Sequence, residues 1–412
     1  MSTPILVAIP NQIIGGVNAA ASPLNGVDIT DEILADDVWS GAQKIRGKWR
    51  EEAQIAEAQV SHLLARPKVL GLDAILIRAT ERDGSLESVS ITYADAGSYF
   101  PYLQRKKGMT LEQLRKEVLE RQQAFYKLYR ERRNLLIDEL QSRSKRKAKL
   151  VRYGSTRTLR AEVQVYRIGD IYAALLSDNH RLLRVTFSKD ASLFRKTWLD
   201  SSRAKLSARE QSAFYQDQVK KTANGDQWIP SISTVPQGYR PYCGLNSLAM
   251  AAQYFGLHID EDWMAVAGKF QNTGSAAGSN MLSLYNATAS EAKLALTRET
   301  KFSYAKARGL LRSGMPIVVW RRFDSGRNTL HSQFARRYLK DKSLTLPLAN
   351  QQDRASWPGE KHPVHASVIV GFNDERKEVL FLESWAGQSI PRRMRYEELE
   401  ATATMVFYFK GK

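Results

Sequence analysis

Residues 235–250 read Val235-Pro236-Gln237-Gly238-Tyr239-Arg240-Pro241-Tyr242-Cys243-Gly244-Leu245-Asn246-Ser247-Leu248-Ala249-Met250. Gly238 and Pro241 mark a loop. After it, Leu245, Leu248, Ala249, Ala252 and Phe255 fall on one helical face, and Gly256 supplies the stop. The spacing therefore predicts a helix that opens at Cys243, the only cysteine of the chain. A thiol at that position meets free backbone N–H groups and the positive end of the helix dipole, which favour the nucleophilic thiolate. Taken alone, a single cysteine reads as a small buried apolar residue. Its neighbours argue for more.

Gln237 lies six residues upstream. Its amide, with the Cys243 backbone N–H, can meet the oxyanion of a tetrahedral intermediate. Downstream comes His362-Pro363-Val364-His365, followed by the apolar run Ala366–Phe372, which reads as a buried strand with His365 at its start. The turn Asn373-Asp374-Glu375 leads to a second strand, Val379–Leu382, closed by Glu383-Ser384-Trp385-Ala386-Gly387. Glu383 is the acceptor that can orient the imidazole of His365. Asn373 and Asp374 are weaker candidates, because the hairpin turn puts them at the far end of the strand from His365. Trp385 packs, and in packing shields the His–acid hydrogen bond.

Gln, then Cys-Gly at a helix start, a His-Ala strand, Gly-Phe, a hairpin and Glu-Ser-Trp together resemble the papain-like cysteine peptidases. The pattern is most similar to the bacterial branch of double-glycine leader (bacteriocin-processing) peptidases. That branch opens its helix with Ala-Met-Ala-Ala-x-Tyr-Phe-Gly, matched by Ala249–Gly256. The resemblance spans about residues 228–410. It implies a helix packed on an antiparallel sheet, Cys243 as nucleophile, His365 as general base and Gln237 as oxyanion donor. Glu383 stands where the family has Asn or Asp, so a longer side chain must fit the same gap. The activity implied is thiol-dependent hydrolysis of peptide bonds through an acyl-enzyme, with a peptide or protein substrate. Transglutaminases and peptidoglycan-cleaving amidases use the same Cys-His-acid chemistry, so the acyl acceptor stays open. The rival reading is a non-catalytic binding protein that works through its basic N-terminal half.

Outward from this constellation, the chain divides into a flexible start (1–30), an N-terminal α+β region (31–227) and the papain-like region (228–412). The fold class expected is α+β. Residues 31–65 show helical spacing behind Asp31, Glu32, Asp36 and Asp37. Residues 69–93 read as a β-hairpin turning at Asp83-Gly84, and 163–187 as a second turning at Asp178-Asn179. Ile91-Thr92-Tyr93-Ala94-Asp95-Ala96 resembles Val185-Thr186-Phe187-Ser188-Lys189-Asp190-Ala191, which suggests a duplicated β unit. Between the hairpins, Thr110 and Gln113 open a helix of about 40 residues that ends in the basic run 143–149. Residues 192–226 read as a polar helix. Trp228-Ile229-Pro230 reads as linker, and 324–360 as a polar, loop-rich insertion that can wall a cleft.

With 412 residues, 43% of them hydrophobic, the chain can bury sizeable cores. No run approaches the ~18 apolar residues of a membrane helix. One cysteine excludes a disulfide-stapled scaffold and a cysteine-based metal site. No His-Glu-x-x-His, paired metal spacing, phosphate loop or Gly-x-Ser-x-Gly elbow is present, so no cofactor or metal is expected. His62, His180, His258, His331 and His362 read as surface or capping residues, with His362 near the cleft. Residues 4–21 are moderately apolar and end in small residues, but they lack a basic start, so the sequence makes no convincing signal peptide. That reading favours the cytoplasm, with secretion or the cell envelope as the alternative. Gly15-Gly16 is a candidate processing site. The net charge is +18, spread along the chain: residues 1–235 hold 37 Lys/Arg against 27 Asp/Glu. Such a balance favours a polyanionic surface as partner, or simply a solvated basic one. Oligomeric state is not legible.

Overall fold

The computed structural model describes residues 22–100, 108–178, 180–194, 196–238, 240–270, 280–385 and 390–412. Gly15-Gly16 and most of the flexible start, Tyr239, Asn179 of the second turn, and Ala386-Gly387 lie outside the described residues. The architecture is α+β with antiparallel sheets, as expected. Two compact units divide it. The N-terminal unit is Met1–Trp198 with Gln237–Tyr242 and Ile259–Leu284. The C-terminal unit is Leu199–Pro236, Cys243–His258 and Tyr285–Lys412. Residues 199–227, grouped with the N-terminal region by the sequence reading, thus fall in the C-terminal unit.

The N-terminal unit carries an 8-stranded sheet. Its strands are β1 (Trp49–Ile55), β2 (Ala58–Leu63), β3 (Leu76–Arg82), β4 (Ser85–Asp95), β5 (Lys149–Tyr153), β6 (Ala161–Ile168), β7 (Ile171–Asp178) and β8 (Leu182–Ser188). The spatial order is β1-β2-β3-β4-β8-β7-β6-β5, so two four-stranded meanders meet along β4 and β8. The meeting strands are the two similar sequence segments. Val185 pairs with Ile91, and Thr186 with Ser90 through hydroxyls 2.9 Å apart. Each strand runs on to an Asp-Ala that starts a helical turn: Asp95 accepts from the Gly97 and Ser98 N–H groups, Asp190 from that of Ser192.

The β3–β4 turn is the expected one. Asp83 and Gly84 both have positive φ, which the tight hairpin requires. The helix expected over 31–65 is a correction. Only Thr30–Leu34 and Asp36–Trp39 are helical there, and the rest forms the β1–β2 hairpin. Glu, Ala and Gln in β1 prefer helix intrinsically, but pairing with β2 overrides that preference. Helix α1 (Leu111–Arg143) has the expected capping box of Thr110 and Gln113. It buries Phe125, Tyr129, Leu136 and Leu140, while Leu111, Leu119 and Leu135 are exposed.

In the C-terminal unit, Ser207 and Glu210 form a capping box on the helix Ala208–Asp217. The 192–226 stretch is therefore a helix only in part. It continues into β9 (Lys220–Lys221) and β10 (Asp226–Trp228), so of the expected linker Trp228 is strand while Ile229 and Pro230 lie outside it. Helix α2 (Cys243–Tyr254) follows, then β11 (Leu294–Glu299), β12 (Ile317–Arg322), β13 (Val364–Asn373), β14 (Glu378–Leu382), β15 (Arg392–Arg395) and β16 (Ala403–Gly411). The sheet order is β9-β10-β13-β12-β16-β11, with β14 on β13 and β15 on β14. The 324–360 insertion is not loop-rich. Ser325–Lys340 is a helix capped by Asp324, and Gln351–Ala355 is another. Its polar residues hid a helix held by a few buried groups, Arg327 and His331 among them.

Helix α2 is buried from Leu245 to Tyr254 and packs on β13 and β12. A helix covered on all sides is the centre of its unit rather than an amphipathic surface helix. Gly256 (φ +87°) ends it, and the Leu257 N–H reaches back to the Ala252 carbonyl. Gly371 lets β10 approach: a Cβ there would meet Trp228 Cβ at 2.4 Å.

Candidate active site

Cys243 is the first residue of α2 and is half-buried. Burial pushes its thiol up, while the hydrogen bond and charge of His365 and the Ala366 and Gly244 N–H groups pull it down. The net effect holds the thiol below its ordinary range.

His365 is the second residue of β13 and is 8% exposed. Its Nε2 lies 2.6 Å from Glu383 Oε2, which leaves the other ring nitrogen for the thiol. Burial opposes a charged ring, yet Glu383 and Cys243 together push His365 up to about 9. Glu383 follows β14 directly. Leu382 pairs with Val368, so Glu383 comes beside Ser367, which shares a face of β13 with His365. The Glu383 carboxylate is buried, which alone would raise its pKa, but His365, Arg321 and Arg392 bring it down to about 2. Its Oε1 accepts from Arg321 Nη2 at 2.7 Å and from Ser367 Oγ at 3.0 Å.

Aromatic rings close the far side of the imidazole. Trp385 stacks on His365 with centroids 4.6 Å apart and an interplanar angle of 16°. Phe323 lies 5.4 Å from the same ring. A water-poor site strengthens each charge pair in it.

The structure thus brings together Cys243, His365 and Glu383. Gln237 sits in the loop that leads to Cys243, where its amide donates to the Arg240 carbonyl at 3.2 Å. Asn373 and Asp374 are not at the site. Asn373 is eight residues along β13 from His365, about 26 Å of strand, and is bonded to Asp226. Asp374 accepts from Tyr304, Arg308 and Arg312.

The remaining histidines correct the expectation in part. His331 is fully buried, 3.2 Å from Glu398, and His62 is buried near Glu52. Neither is a surface or capping residue. His258 meets Asp200 at 2.7 Å, and His362 accepts from the Gly359 N–H. Among the described residues, no group of three or more His, Cys, Asp or Glu is placed to hold a metal ion. Arg321 and Ser367 were not singled out by sequence. A strand register that sets Arg321 opposite His365 is needed to find them.

Residues 219–407, slightly under half of the chain, match the Peptidase_C39 like family. That region belongs to the papain-like cysteine peptidase superfamily. The match covers the helix and the two strands that place Cys243, His365 and Glu383. It gives the papain-like region a peptidase-type function. A solved structure, a C39-like peptidase assignment from Bacillus anthracis, shares 15% identity over 45% of this chain and 97% of that one. Its TM-score of 0.31 is too low to bear on the fold of the papain-like region. Among curated proteins, none matches the chain. No described helix is long and apolar enough to cross a membrane.

Proposed function

We propose that the chain is a thiol-dependent peptidase whose centre is Cys243, His365 and Glu383. His365 takes the thiol proton, and the Cys243 sulfur bonds to the carbonyl carbon of a peptide. The oxyanion is met by the Cys243 backbone N–H and, in this reading, the Gln237 amide. His365 returns the proton to the leaving amine, the C–N bond breaks, and a thioester remains. Water then gives a proton to His365, attacks the thioester and releases the carboxylic acid and the thiol. Glu383 keeps the imidazole oriented and stabilises its charged form.

One observation carries the reading: the Cys243 thiol is held low while His365, at 2.6 Å from Glu383, is pushed up to about 9. That is the electrostatics of a thiolate–imidazolium pair. The test is digestion of a peptide library read by mass spectrometry, with and without a small primary amine. Cleavage that Cys243→Ala abolishes supports the peptidase. Products carrying the amine in place of free acid would assign the acyl group to transfer instead. No turnover with a folded protein would overturn the reading.

A further inference from the structure

Glu383 is one methylene longer than the Asn or Asp expected at its position, and a longer side chain has more rotamers to lose. The structure shows what fixes it. We propose that Arg321 is the positioning residue of this site: it holds Glu383 by Oε1, so that Oε2 stays on His365 and the carboxylate stays ionised through the reaction. The inference rests on the peptidase reading above.

Four contacts on one sheet face carry it. Arg321 Nη2 is 2.7 Å from Glu383 Oε1. Ser367 Oγ donates to the same oxygen at 3.0 Å and accepts from Arg321 Nε at 3.3 Å. Oε2 is left to His365 at 2.6 Å. Both members of the ion pair are buried, with 4% and 0% of their side chains exposed. The backbone fixes Arg321 in turn, since it pairs directly with His365 across β12 and β13. On its other side the β12–β16 ladder shifts register between Trp320 and Arg321, with Thr404 of β16 as the skipped residue, while the pairing of Arg321 with His365 stays unbroken. The Phe381 ring lies under the guanidinium, 5.2 Å from its centre.

The charges then alternate: Cys243 negative, His365 positive, Glu383 negative, Arg321 positive. Arg392, on β15, also bears on Glu383. When His365 gives its proton to the leaving amine, Glu383 would face a neutral ring. Arg321 still neutralises it, so Glu383 does not compete for that proton. A buried carboxylate without such a partner tends to take one up.

The experiment is the pH profile of Cys243 alkylation by iodoacetamide in the wild type, Arg321→Gln, Arg321→Lys, Ser367→Ala and Glu383→Gln, each checked for folding by circular dichroism. The wild type should label fast below pH 7. In Arg321→Gln, labelling at pH 6 should fall about tenfold or more, the equivalent of one pKa unit, and the profile should approach that of Glu383→Gln. Arg321→Lys keeps a cation in reach and should restore most of the rate. Ser367→Ala leaves every charge in place and should lower the rate less than Arg321→Gln. A folded Arg321→Gln with the wild-type profile overturns the proposal and leaves the peptidase reading intact. If Arg321→Gln does not fold, Arg321→Met removes the same charge with a side chain that packs, and a folded Arg321→Met with the wild-type profile overturns the proposal. An ordinary thiol profile in the wild type overturns the peptidase reading itself, and this inference with it.

Discussion

Glu383→Gln removes the negative charge from the site while keeping its shape. His365 is buried, and burial alone would push its pKa below the ordinary 6.5; Glu383 is the largest influence that raises it to about 9. Taking that charge away should bring His365 down toward 6.5, with burial lowering it and Cys243 still raising it. The difference between about 9 and 6.5 is worth roughly 3 kcal/mol. The balance between a thiolate–imidazolium pair and the neutral pair depends on the gap between the two pKa values. It should therefore move by two to three powers of ten, about. The assay is quenched iodoacetamide labelling of Cys243 across pH 5–10, read by mass spectrometry of the intact protein. At pH 6 the variant should label roughly a hundredfold more slowly. Arg321 would also lose its partner, so unfolding should cost about 3 kcal/mol less than in the wild type. Labelling within about threefold of wild type at pH 6, in a folded variant, would refute the argument that Glu383 sets the state of His365.

The same pair predicts a pH window for stability. The raised His365 contributes fully below 6.5 and loses its contribution as pH rises through about 9, while the lowered Glu383 contributes above 4.5 and loses its share as pH falls toward about 2. The thermal midpoint of the wild type should thus fall from pH 6.5 to 9, and His365→Ala should flatten that limb. In the N-terminal unit, Arg240 is buried against Asp262 at 2.6 Å and Glu261 at 3.1 Å. Arg240→Ala should cost about 3 kcal/mol in denaturant unfolding, and more at pH 9 than at pH 6, because burial, Asp95 and Glu261 already push Asp262 up to about 8. Gly314 has φ +76°, and a Cβ there would meet the Tyr215 carbonyl oxygen at 1.8 Å. Gly314→Ala should cost at least ~2 kcal/mol, visible as a lowered thermal midpoint.

The helix at Cys243 was legible because its start, its apolar face and its stop are all local: a Gly/Pro loop, Leu245 to Phe255, and Gly256. The strand at 364–373 and its partner at 378–382 were legible because each is a continuous apolar run, which central strands require. Glu383 and His365 could be paired on paper because a hairpin joins their strands. Arg321 could not, since its place opposite His365 depends on a register between segments more than forty residues apart. The β1–β2 hairpin was hidden by helix-favouring Glu, Ala and Gln in strands whose stability comes from their neighbours. Helix Ser325–Lys340 was hidden for the opposite reason. Its buried groups include Arg327, which pairs with Asp353 and Glu398, and His331, so the core-facing side carries charge that reads as surface.

The most direct test of a thiolate–imidazolium centre is the ultraviolet thiolate absorbance of Cys243, titrated from pH 4 to 10 as the difference between wild type and Cys243→Ser, then repeated in the His365→Ala background. Absorbance present below pH 7 and lost with His365 is the expected result. A thiolate that forms only above pH 8, equally in both backgrounds, would contradict the account.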